Sequence, residues 1–335
     1  MKKYIAAPPL SWVGLPQGPV PQLSVSRNAS TRDRVPDVTR YEAHYQWTDG
    51  RTAHLNRDDS RLGQGTSALV IPAMLRGSGA PQQIALKIAS AGPRSVESAL
   101  AAMRKEYELL SLCECPYVVR PIAVGLVEGD QGEGISEILL ALERADSSLA
   151  RDLAKRDKDD GEGGLDQSRT IQIGWQMLEA RLVLSERRVV HCDIKPGNVL
   201  RFGDDVYKLC DFGTSRRIGL SKESVAVDLD AMSDGYMAPE SWRESKVSPK
   251  TDVFALAATL WEVHTGSNPF AATFGLDIEE RYHRVVMPQA DRSPLLGVLA
   301  KMLHPDPARR LSVHDARADF MRLRALTLTD PLPPV

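Results

Sequence analysis

Two carboxylates and one amide stand close together in the second half of the chain. The run His191-Cys-Asp-Ile-Lys-Pro-Gly-Asn198 puts Asp193 and Asn198 five residues apart, with Lys195 between them. A second acid, Asp211, opens Asp211-Phe-Gly213 and follows the strand-like run Val206-Tyr-Lys-Leu-Cys210. This grouping suits a site for a divalent cation and a polyphosphate. Mg²⁺ takes a few hard oxygen ligands and fills the rest of its shell with phosphate and water, and Asn198 and Asp211 offer such oxygens. Asp193 has the chemistry to orient a hydroxyl nucleophile and take its proton.

Two upstream runs add phosphate-compatible groups. Gly63-Gln-Gly65-Thr-Ser-Ala68-Leu-Val70 is a glycine-rich turn, which by itself is a common feature. Ile84-Ala-Leu-Lys87-Ile88 alternates like a strand and carries a single lysine, which in isolation reads as a surface residue.

Taken in order, these runs resemble the eukaryotic-type (Hanks-type) serine/threonine protein kinase family. His191 to Asn198 resembles its H-R-D-x-K-P-x-N loop, with Cys192 in place of the arginine. The resemblance implies that Asp193 is the catalytic base, that Lys195 contacts the phosphate in transfer, and that Asn198 and Asp211 hold Mg²⁺. It implies that Gly63, Gly65 and Ala68, the last replacing a third glycine, form a loop over the phosphates of ATP, and that Val70 packs on the adenine. Lys87 is then the lysine that contacts the α- and β-phosphates. Its carboxylate partner is Glu106 by the family's offset from Pro116, with Glu97 and Glu108 as alternatives.

Ile138-Leu-Leu-Ala-Leu142-Glu143-Arg-Ala145 resembles the fifth strand and the connection after it. Leu142 takes the gatekeeper position. The backbone of Glu143 and Ala145 is expected to bond the adenine edge, between Ala85 and Leu200. Met237-Ala-Pro-Glu240 resembles the end of the activation segment. Asp252, in Thr251-Asp-Val-Phe-Ala-Leu256, is expected to brace the catalytic loop, and Arg310 to pair with Glu240. Lys195-Pro196 marks the serine/threonine class. Two other readings are a pseudokinase scaffold and a small-molecule phosphotransferase of the aminoglycoside-kinase type. Lys87, Asp193, Asn198 and Asp211 are all present, which disfavours the first. Asp211-Phe-Gly213 and Ala-Pro-Glu240 disfavour the second.

Cys192 carries a regulatory expectation. The family's arginine at this position commonly binds a phosphate on the activation segment, and a thiol does not replace a guanidinium. The segment still offers Thr214, Ser215, Ser221 and Ser224, with Arg216 and Arg217 as alternative phosphate ligands. Ser233 matches a position where a threonine usually contacts the catalytic loop.

The elements that must position these groups form an α+β, bilobal kinase fold. Residues 1–40, rich in Pro, Ser and Gly, read as a flexible arm. Residues 41–57 read as a hairpin around Thr48-Asp49-Gly50. The kinase domain spans 58–320, with a β-rich N-lobe at 58–142, a connection at 143–146 and a helical C-lobe at 147–320, followed by a tail at 321–335. Ile171, Trp175, Leu178 and Leu182 follow helical spacing behind Asp166 as a candidate N-cap. Lys155 to Gly164 reads as a charged, solvated loop.

Composition narrows the function classes. With 42% hydrophobic and 26% charged residues, the chain is not of the disordered type. A formal net charge of −2 gives no electrostatic basis for nucleic-acid binding. No apolar run reaches membrane-spanning length, and Pro8 and Pro9 break any signal-peptide core. Cys113, Cys115, Cys192 and Cys210 read as reduced thiols, with no zinc spacing. The expectation is a cytoplasmic enzyme whose partner is a protein bearing Ser or Thr, with no nucleic acid and no membrane; its oligomeric state is left open.

Overall fold

The computed structural model describes residues 23–26, 44–47, 52–55, 62–64, 68–76, 80–90, 96–128, 135–159, 163–229, 232–270 and 277–329. Gly65, the turn at Thr48-Asp49-Gly50 and the rest of the N-terminal arm lie outside the described residues, as do 330–335. The chain divides into two compact units. One holds the residues up to Ser111 with Arg120–Arg144, and the other holds Leu112–Val119 with everything from Ala145 onward.

Among the described residues, the first unit is an eight-stranded sheet with one helix. Its strands are β1 (Leu23–Ser26), β2 (His44–Trp47), β3 (Thr52–Leu55), β4 (Gly63–Gln64), β5 (Leu69–Arg76), β6 (Gln82–Ser90), β7 (Pro121–Glu128) and β8 (Ile135–Glu143). The spatial order is β1-β2-β3-β5-β6-β8-β7, with β4 on the same edge of β5 as β3. Neighbours are antiparallel throughout. Alternation sorts the side chains between two faces. Ile71, Ala73, Ile84, Leu86, Leu139 and Ala141 meet on one face as an apolar cluster, joined by Ala53 and Ala123. Helix α1 (Val96–Leu112) buries Met103, Glu106, Leu109 and Leu110, which share one side at helical spacing.

Leu23–Ser26 lies inside the segment expected to be an arm, yet it pairs with β2 across four positions. Its alternating Leu-Ser-Val-Ser pattern is the local reason. β1 also comes alongside β7, so the sheet curls until its two end strands are neighbours.

The second unit is mainly helical: α2 (Leu149–Asp159), α3 (Gln167–Glu186), α4 (Pro239–Glu244), α5 (Pro249–Thr265), α6 (Ile278–Arg281), α7 (Pro294–Met302) and α8 (Val313–Thr329). Short strands connect them: β9 (Ser147–Ser148), β10 (Val189–Val190), β11 (Val199–Phe202), β12 (Val206–Leu209), β13 (Arg216–Arg217), β14 (Val225–Ala226) and β15 (Lys246–Val247). α5 is the central post. From Thr251 to Trp261 every residue is buried, so the helix is enclosed on all sides and not amphipathic. Its start is fixed by a capping box between Ser248 and Thr251 with Pro249 in the first turn, and its end by Gly266 at φ +80°. α3 starts at Asp166, whose side chain accepts the Arg169 N–H as expected. α3 crosses α8 where Gly174 meets Phe320, and a Cβ at 174 would sit 2.1 Å from that ring.

Two expectations are corrected here. Lys155–Asp159, assigned to a solvated loop, belongs to α2, because Leu149 and Leu153 sit four residues apart and are both buried. Residues 321–329, assigned to a tail, continue α8, because Ala316, Phe320 and Leu323 form one buried stripe.

Among the described residues, no helix is long and apolar enough to cross a membrane.

Candidate active site

In the first unit, strand register brings several of the expected groups onto one face. Val70 is paired with Lys87, which is paired in turn with Leu140, while Ala85 is paired with Leu142. Directly opposed residues share a face, so Val70, Ala85, Lys87 and Leu142 lie on the side of the sheet away from the Ile84–Leu86 cluster. Lys87 donates to both carboxylate oxygens of Glu106, at 2.9 and 2.8 Å. Glu106 is buried and Lys87 is half-buried, so the pair is well shielded from water. Of the three candidate glutamates, Glu106 is the one that reaches the lysine. Burial holds the carboxyl of Glu108 above its ordinary range. The Glu143 N–H donates to the Arg120 carbonyl, and its carboxylate accepts the Arg120 N–H, which secures the end of β8. Ala68 precedes β5, and Gly63 lies in β4.

In the second unit, the segment between β10 and β11 carries Asp193, Lys195 and Asn198. It is shaped from beneath by α5. The Asp252 carboxylate, in the first turn of α5, accepts the N–H of His191 at 2.7 Å and of Cys192 at 3.0 Å. Two successive N–H groups thus converge on one carboxylate, and Cys192 itself stands at φ +72°, a left-handed conformation. Asp252 is also 3.2 Å from the guanidinium of Arg181 on α3, and both side chains are fully buried.

His191 locks the loop to the following strand. Its Nδ1 accepts the Asp193 N–H at 3.3 Å, so Nε2 carries the proton given to the Cys210 carbonyl at 2.9 Å. Burial pushes this imidazole below its ordinary range, against the opposing pull of Asp252, Asp193 and Asp211. The neutral tautomer is the one the hydrogen bonds require. Phe212, fully buried, packs edge-on against the ring.

Asp193 itself is buried and asymmetric. Oδ2 accepts from Asn198 Nδ2 at 2.9 Å and from Lys195 Nζ at 2.8 Å. Oδ1 is buried with no hydrogen-bond partner. Lys195 also donates to Ser233 Oγ at 2.7 Å, the contact anticipated for Ser233. The turn Pro196–Asn198 closes through Asn198 N–H to Lys195 C=O, and the Asn198 carbonyl accepts the Cys210 N–H. The Asn198 amide NH₂ is thus committed to Asp193, through its backbone carbonyl and its carboxylate, and the side-chain carbonyl is the end left for a cation. Asp211, next to Cys210, sits at φ +61°. Leu200 lies in β11, opposite Ser148 and Lys208. Ala145 immediately precedes the turn into β9.

Further on, Arg310 grips Glu240 with two parallel bonds of 2.6 and 2.9 Å and is buried, which ties the end of the segment to the loop before α8. Two contributors escape a motif reading. Arg181 is the charge partner of Asp252; its one signal is a cation in the apolar stretch Met177-Leu-Glu-Ala-Arg-Leu-Val-Leu184. Arg188 bonds three main-chain carbonyls between Ile218 and Lys222, and nothing in its local sequence marks it.

The sequence profile of the family described as the protein kinase domain matches residues 57–320. Serine/threonine-protein kinase pakE of Dictyostelium discoideum is 26% identical over 290 residues, 85% of this chain and 29% of that protein. Mitogen-activated protein kinase kinase kinase 17 of Arabidopsis thaliana is 28% identical over 225 residues, covering 67% and 53%. Serine/threonine-protein kinase PknB of Mycobacterium tuberculosis is 25% identical over 250 residues, covering 72% and 39%. The chain therefore spans about half or less of the length of these curated relatives.

Proposed function

This chain belongs to the protein kinase domain family, and from that premise we propose that it transfers the γ-phosphoryl group of ATP to a serine or threonine hydroxyl of a protein. The observation that carries the reading is the state of Asp193. One oxygen is fixed by Asn198 and Lys195, and the other is buried without a partner. A buried, unpaired carboxylate oxygen is costly to maintain. It is the acceptor that a substrate hydroxyl needs while its oxygen attacks phosphorus. Lys195, already beside that carboxylate, is placed to counter charge on the transferred group.

Asn198 and Asp211 are the residues that would hold Mg²⁺. Their hard oxygens suit it, and the Asn198 amide is turned so that its carbonyl is available. When bound, the ion neutralises charge on the phosphates. Lys87, oriented by its ion pair with Glu106, is assigned to the α- and β-phosphates. Gly63, Gly65 and Ala68 are assigned to the phosphate loop. Val70, Ala85 and Leu200 are assigned to the adenine faces, and the backbone of Glu143 and Ala145 to its edge.

The test is Asp193→Asn, assayed with a Ser/Thr peptide panel and by nucleotide titration. Turnover should fall about 10²–10⁴-fold while ATP affinity is retained. Turnover within threefold of wild type would remove the base assignment.

A further inference from the structure

We propose that Arg188 is a positioning residue that holds the activation segment in its ordered form without a phosphate. This rests on the kinase reading above and concerns how that same site is kept assembled.

The geometry is specific. Arg188 Nε donates to the Ile218 carbonyl at 3.2 Å, and Nη2 donates to the Gly219 and Lys222 carbonyls, each at 2.6 Å. The Arg188 carbonyl accepts the Ile218 N–H at 2.8 Å. Val189 pairs with Arg217 and Val190 with Arg216, so Arg188 and Ile218 occupy the next position of the same ladder. Backbone and side chain of one residue thus bind both polar groups of Ile218. The two carbonyls on Nη2 belong to a turn closed by Lys222 N–H to Gly219 C=O, with Leu220 and Ser221 at its tip. Leu220 is 91% exposed, so no apolar anchor holds the tip and the guanidinium is its main tether.

Arg188 stands at φ +58°, where glycine or asparagine would be the unstrained choice. Glycine has no side chain to offer, and asparagine is too short for three carbonyls. A planar guanidinium with several fixed donors can serve them together.

The consequence reaches the catalytic loop. Ile218, held by Arg188, packs with Val190, Cys192 and Val247, flanked by Val225, Val227 and Met232. Cys192 is therefore part of an apolar joint between the catalytic loop and the activation segment. β14 adds a two-residue ladder to β15. Where the family's arginine at position 192 would need a phosphate to grasp, this chain uses an apolar joint and places its arginine four residues earlier, on main-chain carbonyls that are always present.

Arg188→Gly is the informative variant, because it removes the guanidinium and relieves the left-handed backbone. Arg188→Lys keeps the charge and loses the fork. Phosphatase-treated proteins are compared by amide hydrogen exchange over residues 218–227, by trypsin cleavage after Lys222, and by initial rates on an exogenous peptide. For Arg188→Gly, exchange and cleavage should each rise at least about tenfold and kcat should fall at least about tenfold, with KM for ATP and the global unfolding midpoint little changed. Arg188→Lys should recover part of each loss. Arg188→Gly with wild-type protection and wild-type kcat would overturn the proposal. So would a wild-type lag that phosphorylation of Ser221 or Ser224 abolishes. If the wild-type chain phosphorylates no substrate, the kinase reading fails, while exchange and cleavage still decide the role of Arg188.

Discussion

Replacing Asp252 with asparagine separates two jobs done by one carboxylate. Asp252 is fully buried 3.2 Å from Arg181, which is also fully buried, and it accepts the N–H groups of His191 and Cys192. The other contacts of Arg181 are long: 3.3 Å to the Val189 carbonyl and 3.4 Å to Ser185 Oγ, with Nε unpartnered. Asparagine would leave that guanidinium in the core without a counter-charge. Removing one partner of a buried pair costs about 3–5 kcal/mol. That is a large part of an ordinary domain stability of about 5–15 kcal/mol, and corresponds to roughly 6–20 °C in Tm for a unit of this size. Adding Arg181→Met removes the orphaned charge, so the double variant should regain most of the loss. Turnover should not return with it, because an amide presents one acceptor oxygen where the loop needs two. Urea unfolding gives the first quantity and initial rates at saturating ATP give the second. A single variant within about 1 kcal/mol of wild type, or a double variant no more stable than the single, would refute the reasoning.

Three further outcomes follow from the same contacts. Lys87→Met and Glu106→Ala break opposite ends of one ion pair, so the double variant should lose little more turnover than the worse single; independent, multiplying losses would show that the two do not act together. Gly174→Ala drives a methyl to 2.1 Å from the buried Phe320 ring and should destabilise the second unit by about 1–3 kcal/mol or more, read as a lower denaturation midpoint, whereas an unchanged midpoint would mean that α3 and α8 separate at little cost. His191 titrates below its ordinary 6.5 in the folded chain, so the unfolded chain takes up its proton first as pH falls. Its contribution is intact above about pH 6.5 and is lost below it, by up to about 1.4 kcal/mol per pH unit; wild type should therefore lose stability more steeply than His191→Asn between pH 7 and 5, and parallel curves would contradict this.

The grouping of the candidate site was legible because residue type and spacing are constrained together. Asp193, Lys195 and Asn198 share one short loop, so their spacing shows in sequence although Asp252, His191 and Ser233 are needed to hold it. Glu106 was legible in part: Met103, Glu106 and Leu110 follow the buried stripe of α1, while Glu97 is exposed at its start. The misreadings come from short or mixed signals. Leu149 and Leu153 are two apolar residues in a charged stretch, too few to announce a helix. Leu23 and Val25 give only two apolar alternations among prolines. Arg181 and Arg188 were silent because their partners come from residues far along the chain, and a left-handed arginine leaves no local trace.

The strands ahead of residue 57 bear on where the molecule can be cut. β3 pairs Thr52–Leu55 with Arg76–Ala73, and Ala53 contributes to the apolar cluster of the sheet. A fragment trimmed to 57–320 would strip the outer half of β5 of its neighbour. The bared amides and carbonyls of Ala73 to Arg76 would then form an open template beside exposed apolar surface, the arrangement that recruits a strand from a second chain. Such a fragment should self-associate and express poorly even though every catalytic group is present. By covering that edge, β3 would guard the sheet against aggregation, a requirement separate from the chemistry of the candidate site.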